Sequence, residues 1–378
     1  MSRPGVAIVG AGFIGPVHVE ALRRLGLPVL GVLASSSDRS GLAARALGLT
    51  NAYSSFQELI SDPAVNVVHL ATPNRFHFDQ AGQALRAGKH VVCEKPLALN
   101  SSESAELVTL AERTGLAAAV CYNVRFYPLC AEARQRVADG SLGEIYHVTG
   151  SYEQDWLLFD TDFNWRVLPE EGGQLRAVAD IGTHWLDLAI WISGLEVAAA
   201  CADLAMFLPI RRQPSQSVET FQGKLAGPRE SAPVAIATED YGSILLRFRN
   251  SARGAVTVSQ VTAGRKNRLY LEVAGSKGAL AWDSERPNEL WLGRRDRPNE
   301  VLTRDPALMH ESARRWSGTP GGHNEGFADT FKQLFRAVYD HIENGRPVEY
   351  PTFADGHREV LLCESILQSH RERRWVNV

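Results

Sequence analysis

The sequence predicts an α/β protein: a doubly wound, Rossmann-type parallel sheet, followed by an α+β domain with a large, mostly antiparallel open sheet. As far as Tyr122, short apolar runs alternate with amphipathic stretches, and a glycine-rich turn follows the first run. Continuous apolar strands separated by helices are typical of a parallel sheet covered on both faces. Beyond Tyr122, β-rich segments follow one another without crossover helices, which favours antiparallel pairing. We therefore expect two domains, 1–122 and 123–378.

The first domain is expected to alternate strands and helices along the chain. Helix 101–114 has clear boundaries, because Asn100 can cap its start, Glu103 completes a capping box and Gly115 follows its last turn. The predicted strands are Val6–Val9, Val29–Ala34, Val67–Ala71, His90–Cys93 and Ala117–Tyr122. The predicted helices are Gly15–Leu25, Ser40–Leu47, Phe56–Ser61, Phe76–Ala87 and Ser101–Thr114.

The second domain is expected to begin with helices and continue as a sheet. Its predicted strands are Val197–Met206, Ala235–Arg249, Ala255–Thr262, Arg268–Ala274 and Gly278–Asp283. Its predicted helices are Leu129–Asp139, Thr183–Trp191 and two in the tail, Phe327–Asn344 and Ala354–Arg373, which should pack back on the body. Proline, glycine and polar residues predict loops at Leu208–Gly227 and Arg294–Gly322.

Composition limits the classes of partner. The net charge of -3 gives no electrostatic reason to expect a nucleic-acid or anionic-membrane partner. No apolar run approaches the roughly 20 residues of a membrane helix, and the N-terminus lacks the pattern of a signal peptide. The five cysteines are scattered without a C-x-x-C pair, which disfavours a metal site or a disulfide framework. We expect a cytoplasmic protein without a bound metal.

The segment Gly10-Ala-Gly12-Phe-Ile-Gly15 lies between the first strand and the first helix. Gly10 permits a tight turn, Gly12 lets a pyrophosphate approach the backbone, and Gly15 lets the helix pack on the strand. The helix N-terminus, with Phe13 and Ile14, then offers N–H groups to the phosphates. A glycine-rich turn without a ligand is the alternative, and the surrounding parallel pattern makes dinucleotide binding the better interpretation.

The end of the second strand should select the cofactor. Enzymes that use NAD commonly place a carboxylate there for the ribose 2′-hydroxyl. This chain has Ser35 and Ser36, followed by Asp38 and Arg39. Hydroxyl donors and a cation suit a 2′-phosphate, so NADP is favoured over NAD. NAD stays open, because Asp38 could turn inward and Arg39 could be simply solvated.

Two further segments carry titratable groups. Glu94 and Lys95 follow the fourth strand, at the carboxyl edge of the sheet where ligands of such folds bind. Asp180 and His184 lie four residues apart at a predicted helix start, where the carboxylate could orient the imidazole or bind a hydroxyl. A lysine and a histidine are suited to move the proton of a carbinol. Taken singly, a surface Glu–Lys pair and a structural Asp–His pair are the simpler interpretations.

Together these motifs resemble those of the Gfo/Idh/MocA family of oxidoreductases over essentially the whole chain. The matching segments share their order and approximate spacing: Gly10–Gly15 with His18, Ala71–Asn74 with His77, Glu94–Pro96, Asn123–Pro128, Asp180–His184 and Tyr350–Gly356. The resemblance implies a homodimer or homotetramer. It also implies a cis Lys95–Pro96 bond, which is common in the family.

The resemblance further implies roles for individual residues. Lys95 and His184 match the family's catalytic lysine and histidine, and Asp180 matches its substrate-binding aspartate. The implied cofactor contacts, beyond the glycine turn, are Thr72, Pro73, Asn74, His77, Glu94, Lys95, Asn123, Trp165 and Arg166. The segment Gly172–Asp180 is longer than the usual approach to the Asp-x-Gly-x-His motif, which alters the pocket rim.

Aromatic and polar residues that occur together suggest a substrate with both apolar faces and hydroxyl edges, such as a pyranose. The candidate substrate contacts are Arg125, Tyr127, Gln154 and Trp156, together with Lys95, Asp180 and His184. The alternative is that the aromatic residues fill a domain junction or a subunit contact.

The expected activity is hydride transfer between a nicotinamide cofactor and a secondary alcohol or ketone of a sugar, anhydrosugar, glycoside or inositol. Two alternatives remain. One is an NAD-dependent glycosidase that oxidises C3 transiently and eliminates the aglycone. The other is a dinucleotide-binding regulator without catalysis, which the presence of Lys95, Asp180 and His184 disfavours.

Overall fold

The computed structural model describes residues 3–215 and 230–378. Its first part is a parallel sheet formed by β1 (Gly5–Val9), β2 (Val29–Leu33), β3 (Asn51–Ala52), β4 (Val65–Leu70), β5 (His90–Cys93) and β6 (Ala118–Val120). The strand order is β3-β2-β1-β4-β5-β6, and every pairing is parallel. This order is that of a Rossmann fold, as the sequence predicts.

Helices cover both faces of this sheet: α1 (Ile14–Arg24), α2 (Ser37–Leu47), α3 (Phe56–Ser61), α4 (His77–Arg86) and α5 (Ser101–Thr114). The central strand β1 is buried throughout its length. Val6 and Ile8 belong to one apolar cluster, whereas Ala7 and Val9 belong to another. Successive side chains of a strand point to opposite faces, so the strand contributes to a core on each side.

The second part is built on a nine-stranded sheet in the described part of the chain. Its order is β16-β15-β14-β13-β7-β12-β11-β8-β17, and a separate ribbon pairs β9 with β10. Only β7 and β12 pair in parallel within the nine strands described. The strands are β7 (Ile145–Glu153), β8 (Val197–Ala205), β9 (Ile210–Pro214), β10 (Ser231–Ala235), β11 (Tyr241–Phe248), β12 (Arg253–Ser259), β13 (Arg268–Gly275), β14 (Ala279–Asp283), β15 (Glu289–Gly293), β16 (Glu300–Thr303) and β17 (Val376–Asn377).

The remaining helices are α6 (Pro128–Ala138), α7 (Pro169–Gly172), α8 (Thr183–Ser193), α9 (Glu311–Arg314), α10 (Phe327–Asn344) and α11 (Phe353–Glu372). Helix α8 is buried against the large sheet, where the indole of Trp185 donates to the carbonyl of Tyr270 at 2.9 Å. The last two helices return to the first sheet: α10 contacts α1, and α11 contacts α5. The tail therefore joins the two parts of the molecule.

The predicted loops were wrong in part. Strand β9 lies inside the predicted loop Leu208–Gly227, of which residues 216–227 fall outside the described chain. Strand β16 and the short helix α9 lie inside the predicted loop Arg294–Gly322. Both strands are polar and bind a neighbouring strand along one edge. Their pairing comes from tertiary context, because neither carries the alternating apolar pattern of a half-buried strand.

Two errors affect the middle of the large sheet. The predicted strand Ala235–Arg249 is interrupted at residues 236–240, where Glu239 and Asp240 turn inward. Strand β7, which pairs with both β12 and β13, was not predicted. Gly150 interrupts its side-chain pattern, and a Cβ atom there would lie 1.9 Å from the carbonyl oxygen of Tyr270. Close approach of the backbone therefore explains the glycine.

The five cysteines are free thiols, as expected from their spacing. Over residues 3–215 and 230–378, we find no helix with the length and apolar character required to cross a bilayer.

The interruption before β11 places a buried carboxyl beneath the segment that carries Asp180. The Glu239 carboxylate accepts the backbone N–H groups of Arg176 and Val178 at 2.9 Å. Asp240 next to it forms ion pairs with the buried guanidinium groups of Arg176 and Arg211. Burial raises the pKa of Glu239 to about 7, although the amide donors and Arg176 oppose that shift.

The raised pKa of Glu239 makes the stability of the fold depend on pH. A carboxyl whose pKa is higher in the folded chain binds more protons there, so its contribution to stability is lost as the pH rises. We expect the contribution of Glu239 to the free energy of unfolding to decrease from about pH 5 to about pH 7. Buried neutral histidines such as His184 act in the opposite sense over this range, so the contribution is read against Glu239→Gln, which keeps an acceptor for the amides. The free energy of unfolding of the native protein should fall relative to that of the variant as the pH rises. Denaturant unfolding at a series of pH values measures both, and equal pH slopes would contradict the assignment.

Candidate active site

The glycine turn after β1 has a distinct geometry at each glycine. Gly10 has a φ of +104°, and a Cβ atom there would lie 2.3 Å from the carbonyl oxygen of Ala71. A Cβ atom on Gly15 would lie 2.1 Å from the carbonyl oxygen of Gly10, so α1 packs on the turn only without a side chain. A Cβ atom on Gly12 would contact nothing within 4 Å. The protein itself therefore needs Gly10 and Gly15, whereas Gly12 leaves open space beside the N-terminus of α1, as a pyrophosphate site requires.

The end of β2 differs from the sequence prediction. Helix α2 begins at Ser37 rather than Ser40, and the hydroxyl of Ser36 caps it by accepting the N–H of Arg39 at 3.3 Å. The guanidinium of Arg39 donates to the hydroxyl of Ser35 at 3.2 Å. Both serines thus have local hydrogen bonds, and Arg39 remains exposed at the carboxyl edge of the sheet.

The sheet edge after β5 presents the predicted lysine to the second part of the molecule. The Lys95–Pro96 peptide bond is cis. The ammonium of Lys95 donates to the backbone carbonyl of Asp180 at 2.7 Å and to its Oδ1 at 2.8 Å. Both side chains are largely buried. Two residues 85 positions apart in the chain, one following β5 and the other preceding α8, thus form one ion pair.

Asp180 is the centre of this cluster. Its Oδ1 also accepts the Nε–H of Arg166 at 3.2 Å, and its Oδ2 accepts the amide of Gln260 at 2.9 Å. Burial raises the pKa of the Asp180 carboxyl, but the charges of Lys95 and Arg166 lower it further than burial raises it. The carboxylate is therefore ionised, as expected for a group facing two cations.

The local structure around Asp180 corrects one prediction. Residues Val178–Gly182 form a π-helical turn, and the α-helix begins only at Thr183. The two side chains are therefore not an i, i+4 pair on one α-helix, and the hydrogen bonds of Asp180 go to Lys95, Arg166 and Gln260. Single π-helical turns occur frequently at functional sites, where they redirect side chains.

His184 follows in the first turn of α8 and is buried between two tyrosines. Its ring centroid lies 5.6 Å from that of Tyr122 and 6.3 Å from that of Tyr152. Burial, followed by the nearby charge of Lys95, lowers the pKa of His184 to about 3. The imidazole is therefore neutral. Its Nδ1 is buried and has no hydrogen-bond partner among the described residues, which is rare for a buried polar atom.

The loop after β4 is braced against its neighbours. The hydroxyl of Thr72 donates to Gln80 at 2.7 Å, and the amide of Asn74 donates to the carbonyl of Gly172 at 2.9 Å. His77 is fully buried, with Nδ1 2.7 Å from the carbonyl oxygen of Pro96 and Nε2 3.0 Å from that of Thr72. His77 thus joins the loop after β4 to the loop after β5, both of which are predicted to line the nicotinamide. Pro73 lies between Thr72 and Asn74, whose side chains are both hydrogen-bonded.

The aromatic segment reaches the cluster through Arg166. The guanidinium lies 4.4 Å from the ring centroid of Trp165 and 5.9 Å from that of Trp156. Gln154 donates its amide to Asn267 at 2.6 Å, whereas its buried Oε1 has no partner in the part of the chain described. Trp156 and Trp165 therefore flank an arginine that binds Asp180.

Three predicted contacts have other partners. The guanidinium of Arg125 is buried in ion pairs with Asp187 and Asp355, so this geometry favours a structural role over the predicted substrate contact. Tyr127 is buried, with its ring centroid 5.0 Å from that of Trp282. Asn123 donates to the hydroxyl of Thr330 on α10 at 2.7 Å.

Sequence reasoning missed Gln260. It follows β12 directly, is fully buried, and binds Asp180 through its amide nitrogen. Its Oε1 is also buried and has no partner among the residues described. The sequence does contain a signal for Gln260, which is a polar residue among apolar ones at the end of a strand. A buried amide at such a position requires hydrogen-bond partners.

One group of three potential metal ligands occurs in the described structure: His18, Glu94 and Cys121. His18 and Glu94 are hydrogen-bonded directly to each other at 3.1 Å. We assign no metal to this group, because that bond already satisfies the imidazole nitrogen that would face an ion.

The arrangement supports proton transfer next to a dinucleotide. A lysine cation, an ionised aspartate and a neutral histidine converge at the carboxyl edge of the Rossmann sheet, and Gly12 leaves phosphate space at the same edge. Ligands of open parallel sheets bind at this edge. The fold and the site together define a dinucleotide-binding oxidoreductase.

The chain belongs to the Gfo/Idh/MocA family. A model described as oxidoreductase family, NAD-binding Rossmann fold, matches residues 5–122, and the family's C-terminal domain model matches residues 130–281. The chain is 29% identical to levoglucosan dehydrogenase of Pseudarthrobacter phenanthrenivorans, with 100% of this chain and 99% of the relative covered.

Solved structures give the same result. Levoglucosan dehydrogenase in complex with NADH and levoglucosan is 29% identical, with a TM-score of 0.89 over 100% of this chain and 99% of the other. An inositol dehydrogenase homolog complexed with NAD+ from Azotobacter vinelandii is 27% identical, with a TM-score of 0.87 over 100% and 98%. The predicted family and fold are confirmed.

The two outer glycines and the middle one should respond differently to alanine. We expect Gly15→Ala to lower the melting temperature, because its Cβ would meet a backbone carbonyl. Gly12→Ala should keep the native melting temperature and weaken dinucleotide binding by about tenfold or more, because the methyl group enters the phosphate space. Thermal unfolding and titration calorimetry with NAD(H) and NADP(H) measure these effects. Unchanged dinucleotide affinity in Gly12→Ala would contradict the placement of the phosphates.

Proposed function

We propose that the protein transfers hydride between a nicotinamide dinucleotide and a secondary alcohol or ketone of a sugar, anhydrosugar, glycoside or inositol. The observation that carries this proposal is the cluster of Lys95, Asp180 and His184 at the carboxyl edge of the sheet that also carries the glycine turn. One group is cationic, one is anionic and one is neutral, which is the combination that positions a carbinol and accepts its proton.

The residues at the sheet edge fit a nicotinamide dinucleotide. The pyrophosphate would lie over Gly10 and Gly12, next to Phe13 and Ile14 at the start of α1. Glu94, whose pKa is lowered by His18 and Lys95 against the effect of burial, would accept a ribose hydroxyl as a carboxylate. Thr72, Pro73, Asn74, Asn123, Trp165 and Arg166 would border the nicotinamide, which supplies the hydride acceptor or donor when bound.

The proton is assigned to His184. Its low pKa keeps the imidazole neutral over the physiological range, so it can accept the hydroxyl proton of a carbinol during oxidation. Lys95 binds the carbinol oxygen and stabilises its developing negative charge. In the direction of reduction, His184 takes up a proton and transfers it to the ketone oxygen as hydride arrives. Asp180 holds Lys95 in place and, with Gln260, offers acceptors to neighbouring hydroxyls.

The rim of the site supports a sugar-like substrate. Trp156 and Trp165 provide flat apolar surfaces, and the guanidinium of Arg166 beside both rings provides hydrogen-bond donors. Such a combination matches the C–H faces and hydroxyl edges of a pyranose. The name of the relative that acts on levoglucosan and that of the inositol dehydrogenase homolog agree with this class.

For the cofactor we propose NAD. The sequence favours NADP through Arg39 and the two serines, but Ser36 caps α2 and Ser35 already binds Arg39. The solved relatives contain NADH or NAD+. A 2′-phosphate would need to draw Arg39 away from Ser35.

We also retain the domain boundary between residues 122 and 123, and we propose a homodimer or homotetramer. Tyr146 on β7 and Leu245 on β11 are exposed on the large sheet, where a second subunit would bury them.

The cytoplasmic location and the absence of nucleic-acid and membrane partners stay predictions from composition.

A screen of sugars, anhydrosugars, glycosides and inositols against NAD and NADP tests the function. With a true substrate, reduced nicotinamide should accumulate in proportion to the ketone formed. Product formation without accumulated reduced cofactor would indicate the glycosidase alternative, and dinucleotide binding without turnover would indicate the regulator.

Substitution of the proposed acid–base groups should abolish most of the activity. We expect Lys95→Ala and His184→Ala each to reduce turnover by about 10²-fold or more, the usual contribution of a positioned acid or base. His184→Ala should leave dinucleotide affinity close to native, because the imidazole faces the carbinol. Steady-state rates and calorimetry on the purified variants provide both values.

Matched surface variants control for nonspecific loss. Lys277→Ala and His323→Ala remove the same types of group by the same substitution at exposed positions and should keep native turnover. Near-native turnover in both Lys95→Ala and His184→Ala would refute the assignment.

A further inference from the structure

A chain of hydrogen bonds runs through the interior from the active-site edge to the C-terminal tail. Glu94 Oε1 lies 3.1 Å from His18 Nε2, and His18 Nδ1 lies 3.1 Å from His69 Nδ1. His69 Nε2 lies 3.0 Å from the hydroxyl of Tyr339. The chain thus connects β5, α1, β4 and α10.

The chain is enclosed by apolar groups. His18 and His69 are 0% exposed and Tyr339 is 2% exposed, whereas Glu94 retains 8% at the site. Phe331 and Phe335 belong to the same face of α10 as Tyr339, and both rings pack on His18. In such low-dielectric surroundings, hydrogen bonds are strong and unmet ones are costly.

The partners fix the direction of every bond. An ionised Glu94 only accepts, so His18 carries its proton on Nε2 and a neutral His18 accepts at Nδ1. His69 must then donate from Nδ1, and its free Nε2 accepts the hydroxyl proton of Tyr339. All bonds are made without a buried positive charge. Burial, followed by the proximity of His18, lowers the pKa of His69 well below its usual value, which agrees with a neutral ring.

The count of donors and acceptors also disfavours the opposite direction of the hydrogen bonds. A cationic His18 would donate from Nδ1 to His69, which would then donate from Nε2 to the oxygen of Tyr339. The hydroxyl proton of Tyr339 would then need another acceptor, and the structure gives that hydroxyl a hydrogen bond to His69. A charge would also be buried among phenylalanine rings.

We propose that Tyr339, His69 and His18 are positioning residues that hold Glu94, through one directed hydrogen-bond chain, in the orientation that binds the ribose of the nicotinamide dinucleotide. The inference rests on the proposed function through the role of Glu94. It assigns to α10, a helix of the C-terminal tail, a part in binding a cofactor that it does not touch. None of the three positioning residues contacts the reacting atoms.

The direction of the chain can be observed in the protein without cofactor. Nitrogen NMR of histidine-labelled protein distinguishes protonated from unprotonated ring nitrogens, and His18→Gln and His69→Gln identify the two sets of signals. We expect a proton on Nε2 of His18 and on Nδ1 of His69. A proton on Nδ1 of His18 would overturn the proposed direction.

The effect on the cofactor is measured by a double-mutant cycle. Tyr339→Phe removes the terminal donor and keeps the ring, and we expect it to weaken dinucleotide binding about three- to tenfold, the value of one hydrogen bond. In the Glu94→Gln background, the same substitution should change affinity less than twofold, because the residue that the chain positions has been altered. Effects that multiply would show that Tyr339 acts only through packing and would overturn the proposal.

Two controls separate the possible failures. Arg24→Gln removes the ion pair with Asp329, which also connects α1 with α10, and should leave dinucleotide affinity native. In His18→Gln, the amide can still donate to Glu94, so it should retain more affinity than His18→Leu; equal losses would contradict positioning by a hydrogen bond. If the native protein bound neither NAD(H) nor NADP(H), the proposed function itself would fall, whereas multiplied effects with native binding intact would overturn the chain alone.

Discussion

The ion pair between Lys95 and Asp180 connects the two parts of the molecule at the site. Lys95 lies at the carboxyl edge of the Rossmann sheet, and Asp180 lies in a π-helical turn before α8. A largely buried ion pair is costly to desolvate, and it persists only when other groups form hydrogen bonds with its remaining donors and acceptors. Arg166 and Gln260 provide those contacts. The charges of Lys95 and Arg166 keep Asp180 ionised, and burial together with the charge of Lys95 keeps His184 neutral.

The supports of this pair lie at some distance from it. The Glu239 carboxylate accepts hydrogen bonds from the backbone N–H groups at the start of the segment that carries Asp180. The interruption before β11 turns Glu239 inward to that position. On the other side, Glu94 precedes Lys95 and is tied to α10 through His18 and His69. Both supports are buried polar groups with defined partners, which specify a single arrangement where an apolar core would tolerate several.

The sequence predicts the Rossmann half well, because apolar runs, caps and the glycine turn are local signals. Motif resemblance is enough to name Lys95, Asp180 and His184, because the motifs that contain them occur in this sequence in the family's order and approximate spacing. The local geometry of the site could not be predicted from the sequence. The π-helical turn, the cap formed by Ser36 and the interruption of the strand around Glu239 depend on how the chain packs. Gln260 lay outside every motif, and only its contact with Asp180 identifies it. For Arg125 the substrate contact stays a prediction, and in the structure its guanidinium pairs with Asp187 and Asp355.

The most direct test is whether Lys95 and Asp180 act as one unit. The rate of nicotinamide reduction with a saturating sugar substrate should be measured in Lys95→Met, Asp180→Asn and the double variant. Because either change alone breaks the pair, we expect the double variant to be within a few-fold of the slower single variant. Losses that multiply in the double variant would show that the two side chains act independently and would contradict the account.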